Sequence, residues 1–95
     1  MYKFSVKGFH EELGFVMPVC SLIEKGEGSL IGKFFKTKDG RNKYQNVSCT
    51  LYSDYHPNTE GLTLERISET RPLKEGDVLI ECDGDAKAKT ELSQN

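Results

Sequence analysis

Residues 33–44 read Lys33-Phe34-Phe35-Lys36-Thr37-Lys38-Asp39-Gly40-Arg41-Asn42-Lys43-Tyr44. The runs on either side of Asp39-Gly40, Ser29 to Lys38 and Arg41 to Tyr52, are long enough to be strands. A type I′ turn needs positive φ at both central residues, and an Asp-Gly pair tolerates that. The stretch therefore predicts a β-hairpin. It is also unusual in charge, with five basic residues and one acid in twelve positions and three aromatics between them.

A two-residue loop sets the register. Lys38 faces Arg41, Thr37 faces Asn42, Lys36 faces Lys43 and Phe35 faces Tyr44. Like charges directly opposite destabilise a ladder by a few tenths to about 1 kcal/mol per pair. An anionic partner would offset that repulsion, and phosphate is the obvious one. In the same register Phe35 and Tyr44 share a face with Lys33, Asn46 and Ser48, with Tyr52 further along. Val47, Cys49 and Leu51 alternate onto the other face and read as core, so the Phe35–Tyr44 face is expected to look outward. Exposed aromatics beside cations form a surface on which bases stack, at ~1–3 kcal/mol each. The candidate nucleic-acid-binding residues are therefore Lys33, Phe35, Lys36, Lys38, Arg41, Lys43, Tyr44 and Tyr52. A slip of one residue would exchange the faces and put Phe34 there instead. The plainer alternative is a lysine-rich edge that guards a strand against aggregation, with the aromatics completing the core.

Outward from the hairpin, the chain keeps a period of two. Tyr2, Phe4 and Val6 alternate with Lys3, Ser5 and Lys7, which predicts a half-buried strand over Met1 to Phe9. His10 to Gly14 reads as a turn. Phe15 to Ile23 is apolar on both faces and contains Pro18, which cannot donate to a ladder, so an edge or bent strand is expected. Gly26 to Gly28 is a loop, and Ser53 to Gly61 is too polar and turn-rich for regular structure. Leu62 and Leu64 begin another strand that ends in Ser68 to Pro72. The Lys74-Glu-Gly76 turn leads to Asp77–Cys82, with Val78, Ile80 and Cys82 expected to face inward. Residues 83–95 lose the pattern and read as a tail, with a helical turn or two conceivable over Ala86 to Leu92. The fold class expected is all-β: a small five- or six-stranded barrel of OB type, or a sandwich.

The totals agree with a single domain over residues 1–82. Ninety-five residues bury one modest core. The net charge of −2 is unevenly placed. Residues 33–44 carry +4, from five bases and one acid, and residues 60–95 carry −4, from nine acids and five bases. Such a distribution favours a local anionic contact over a general polycation. Three widely spaced cysteines, Cys20, Cys49 and Cys82, fit reduced thiols in a cytoplasmic protein better than a disulfide framework. No signal-peptide pattern or membrane-length apolar run is present.

Catalytic and metal motifs fail on inspection. His10-Glu-Glu-Leu begins like H-E-x-x-H, but the second histidine position holds Gly14. Gly26, Gly28 and Gly32-Lys33 lack the spacing and the Ser or Thr of a phosphate loop. No C-x₂₋₄-C pair exists to anchor zinc with His56. Asn46-Val-Ser48 matches a glycosylation sequon without a secretory context. No cofactor is expected, and the expected role is non-enzymatic binding.

Two resemblances bear on that role. Lys38 to Tyr44, the alternating strand after it and Pro72-Leu-Lys-Glu-Gly-Asp-Val-Leu-Ile80 resemble the small helix-destabilising proteins of filamentous phages. The similarity spans roughly residues 33–82 and implies an OB-type barrel. It further implies single-stranded DNA binding through Lys36, Arg41, Lys43 and Tyr44, and a homodimer. Glu12-Leu-Gly-Phe15 and Leu73 to Gly84 are similar to the carboxylate-binding loop and a later strand of PDZ domains, which implies a protein-binding module instead. That alternative would use Phe15, Met17 and Val19, or the acidic stretch Glu75 to Asp85, against a protein partner.

Overall fold

The computed structural model describes residues 1–51 and 58–84. Six strands follow one another: β1 (Lys3–Glu12), β2 (Phe15–Glu24), β3 (Phe34–Thr37), β4 (Asn42–Leu51), β5 (Thr59–Glu69) and β6 (Val78–Cys82). Every pairing is antiparallel, and the sheet closes on itself in the order β1-β2-β5-β4-β3-β6. The chain is thus an all-β closed barrel. Strands β3, β4 and β5 neighbour one another in sequence order and β6 returns beside β3, which is a Greek-key arrangement.

Inward residues from all six strands fill the barrel. Phe4 and Val6 come from β1, Val16 and Cys20 from β2, and Phe35 from β3. Tyr44, Leu62, Leu64 and Leu79 complete the set, with Tyr2 and Leu73 beside them. Phe4 meets Phe35 edge-on at 5.8 Å and stacks on Tyr2 at 6.0 Å. The expected inward set is therefore buried, with Phe4 and Val6 on the core face of β1 and Tyr2 just before it, and Leu62 and Leu64 are the core face of β5.

The type I′ geometry lies elsewhere than expected. Leu13 and Gly14 have φ of 53° and 84° and close a two-residue hairpin between Glu12 and Phe15. Strand β1 consequently runs through His10 to Glu12, and Glu12 to Phe15 is a hairpin turn. With no helix among the described residues, the PDZ-like groove is not built by them.

At Asp39-Gly40 only the glycine has positive φ, 77°. Gly40 N–H bonds Thr37 carbonyl at 2.8 Å, so the loop spans Lys38 to Arg41, and Lys38 and Arg41 are not ladder partners. The cause is local. The Asp39 carboxylate accepts bonds from the Thr37 hydroxyl at 2.7 Å and the Arg41 N–H at 2.9 Å, holding the wider loop. The pairs Phe35–Tyr44 and Lys36–Lys43 stand as expected.

The faces of β4 are where expectation fails most. Asn42, Tyr44 and Asn46 point inward and are fully buried, whereas Val47 is 36% exposed. Between Asn46 and Ser48 the ladder with β5 skips Val47, a bulge that shifts the alternation by one. Beyond it, Cys49 packs against the core as expected. The core reading of the second strand thus holds at Cys49, after the bulge, and is inverted before it.

Strand β6 is also inverted. Leu79 is its buried residue rather than Val78, Ile80 or Cys82, because Leu79 lies opposite Phe4 and Thr37, both inward. Strand β2 is no edge, being paired by β1 and β5. Pro18 falls where the β2–β5 register passes from Val16–Leu64 to Val19–Gly61. The strand expected from Ser29 is only Phe34–Thr37, since Leu30 to Lys33 form a turn with Gly32 at φ 93°. Tyr52, His56 and the tail from Asp85 lie outside the described residues.

Candidate anionic-ligand surface on the central hairpin

The inner face of the β3–β4 hairpin carries a polar network. Asn42 donates from Nδ2 to the Tyr44 hydroxyl at 3.0 Å and to the Arg71 carbonyl at 2.9 Å. Its Oδ1 accepts from Thr70 N–H at 3.0 Å and Arg71 N–H at 3.3 Å. The Tyr44 hydroxyl donates to Glu69 Oε2 at 2.6 Å, and Arg66 Nε holds Glu69 Oε1 at 2.7 Å. Burial and then the Glu69 carboxylate push the Tyr44 phenol well above its ordinary value, so it remains a donor.

Arg71 ties this network to the hairpin loop. Its guanidinium bonds both carboxylate oxygens of Asp77 at 3.0 Å and reaches Asp39 Oδ2 at 2.9 Å. Lys74 adds its N–H at 2.8 Å and its ammonium at 3.2 Å to Asp77. Burial pushes the Asp77 carboxyl up, but the Arg71 and Lys74 contacts together outweigh it and leave Asp77 below the usual carboxylate value. Asp39 is also held low, first by the Arg41 N–H, then by the Thr37 hydroxyl and Arg71. At one end of the barrel, Arg71 and Lys74 thus pair with Asp77 within the β5–β6 connection, and Arg71 ties that connection to Asp39 of the β3–β4 loop.

The outer face is different. Lys36, Lys38 and Arg41 are exposed, and among the described residues none of the ion pairs involves them. Lys43 stands directly across from Lys36 and places Nζ 6.0 Å from the centroid of Phe34. Several other cations are neutralised: Lys3 by Glu24, Arg66 by Glu11 and Glu69, Arg71 and Lys74 by Asp77.

The expected site residues thus separate. Lys36, Lys38, Arg41 and Lys43 gather on one outer surface. Phe35 and Tyr44 do not join them: both are fully buried and cannot stack a base, a correction that follows from the inverted face of β4. Lys33 is likewise turned away, paired with Glu81 at 3.1 Å and lying 6.0 Å from the Tyr2 ring centroid. Phe34 takes the outer position, half-buried, with its ring against Gly84 so closely that no side chain would fit there. Asn42, Arg71 and Asp77 went unrecognised in the sequence. The available signal was an asparagine inside a strand, where that residue is disfavoured unless its amide is used.

Among the described residues no group of three or more His, Cys, Asp or Glu could hold a metal ion, and no helix is long and apolar enough to cross a membrane. No protein-family model, curated protein or solved structure matches the chain.

Proposed function

We propose that this domain is a non-enzymatic binder of single-stranded nucleic acid, contacting phosphates through the outer face of the β3–β4 hairpin. The observation that carries the reading is the set Lys36, Lys38 and Arg41: exposed, adjacent and unneutralised, in a barrel that pairs most of its other cations. Lys43 stands across the ladder from Lys36 and adds a fourth cation to this surface. The resemblance to phage helix-destabilising proteins supports the same residues except Tyr44, whose burial removes it from contact. With Phe34 half-buried as the aromatic on this surface, binding rests on phosphate more than on stacking. It should therefore be steeply salt-dependent and weakly selective among bases. Fluorescence anisotropy of labelled oligo-dT over a salt series tests this. Binding near 50 mM salt that falls as salt rises is expected; no binding at that salt would sink the reading.

A second reading, a protein-binding module, is favoured by one feature. Leu13 is 91% exposed at the tip of the β1–β2 hairpin, above the half-buried outer residues Phe15, Met17 and Val19. An apolar tip of this kind suits a protein partner or a second copy. Partners that survive nuclease treatment in a pull-down, and are lost with Leu13→Ser, would favour it over the first.

A further inference from the structure

At the end of the barrel opposite the Arg71 network, β5 places an acid inside. Glu60 has the same parity as Leu62 and Leu64, both buried, and its register partner on β2 is the fully buried Cys20. Its carboxylate therefore belongs to the mouth of the barrel. A cavity of about 300 Å³ opens there, walled by Tyr2, Phe4, Leu22 and Leu30, with Glu60 on its lining and Lys25 also beside it. The volume is at the lower end of small-ligand sites, and barrel mouths are a common place for them.

The carboxylate is poorly served by its own protein. Glu60 Oε1 is buried and accepts no hydrogen bond. A buried acceptor left without a donor is uncommon in folded proteins and asks for a missing partner. The thiols facing it carry no charge. Burial and then Glu60 itself push the Cys20 thiol up to about 12, and burial and Glu60 raise Cys49 as well, so both remain neutral. Tyr2 spends its hydroxyl on the Gly28 carbonyl at 3.0 Å. Lys25 is exposed and forms no ion pair among the described residues.

The geometry points to a ligand site in this mouth for a small organic cation, an alkyl- or arylalkylammonium whose N–H donates to Glu60 while its apolar part packs against Tyr2, Phe4, Leu22 and Leu30. The site lies inside the barrel and is independent of the nucleic-acid reading, which concerns the outer face of the hairpin.

Binding should be linked to the ionisation of Glu60. Burial raises its carboxyl above the ordinary 4.5, so the site gains its charge, and its affinity for an ammonium, as pH rises past that value. Of the other groups at the mouth, the two thiols are raised. Glu81 of β6, behind Tyr2, is pushed up by burial but lowered overall by the Tyr2 N–H and Lys33. Glu60 is therefore the carboxyl expected to titrate in that range.

The test is titration of the isotopically labelled chain with phenethylammonium, followed by amide chemical shifts at Tyr2, Leu22 and Thr59–Leu62. Phenethyl alcohol at matched ionic strength is the neutral control. Saturable shifts with the ammonium, weaker by about tenfold in Glu60→Gln and weakening as pH is lowered toward 4, are expected. Equal binding of the alcohol, unchanged affinity in Glu60→Gln, or no saturable shift in the wild type would overturn the site. The pH arm uses wild-type protein, so it decides the matter even if the variant folds poorly.

Discussion

On the inner face of the β3–β4 hairpin Asn42, Tyr44 and Asn46 all have hydrogen-bond partners, whereas on the outer face Lys36, Lys38 and Arg41 make no ion pair among the described residues. The two faces belong to the same residues in alternation, so the contrast is one of use. Inside, each polar group is committed to folding, because a buried acceptor or donor left alone costs about 1–3 kcal/mol. Outside, water solvates the ammonium and guanidinium groups, and the repulsion between them costs little enough to be kept. Perturbing the inner face should therefore unfold the barrel, and perturbing the outer face should change only what it binds.

The sharpest way to break the contrast is Tyr44→Ala, which empties a fully buried aromatic position and strands Glu69 and Asn42. A loss of about 3–5 kcal/mol is expected by urea denaturation. Next is Arg71→Met, which leaves Asp77 without its bidentate partner. A loss of about 2 kcal/mol is expected, nearer the desolvation cost of one acceptor than that of a fully buried pair. This variant also tests the acid limb of stability. Asp39 and Asp77 both lie below their ordinary value of 3.8, so their contribution is present above it and is lost as pH falls through the lowered values. Stability measured from pH 6 to pH 2 should fall in wild type, with a shallower slope in Arg71→Met.

Smaller effects belong to the loop and the outer face. Gly40→Ala places a Cβ at φ 77° in open space, so only backbone strain opposes it, about 1–2 kcal/mol by thermal denaturation. Replacing Lys36, Lys38 and Arg41 together by alanine should shift stability by no more than about 0.5 kcal/mol. The same triple variant should flatten the slope of log affinity against log salt by about 2, at roughly 0.7 per phosphate on a single strand. Lys36→Glu should gain a few tenths of a kcal/mol by pairing with Lys43 while weakening oligonucleotide binding. An outer-face variant that unfolds the barrel, or an inner-face variant that leaves it stable, would collapse the distinction.

The hairpin itself was legible. Its pairing of Phe35 with Tyr44 and Lys36 with Lys43 follows from the Asp-Gly turn region and the lengths of the flanking runs. Its two faces were not, because alternation within ten residues names two sets and does not say which is inside. Val47, Cys49 and Leu51 are the more hydrophobic set, and that weighed toward them. Tyr44 and Asn46 took the interior because Asn46 bonds the Leu30 carbonyl and the Thr63 N–H, and Tyr44 bonds Glu69. Those partners lie 16, 17 and 25 residues away, beyond any local pattern.

Local alternation, glycine placement and the absence of a long 3.6-residue apolar period were enough, in the sequence alone, to make this chain all-β with a basic hairpin, while the choice of a closed barrel over a sandwich came with the strand pairing. Which side of that hairpin faces out was decided only in the closed barrel. A single bulge at Val47 reverses the alternation midway along β4, and a bulge depends on the neighbouring strand rather than on its own residues. The same closure brought Arg71, Asp77 and Asp39 together from three positions in the chain and set Glu60 inside the opposite mouth. Sequence period supplies the strands; the partner across each ladder supplies the inside.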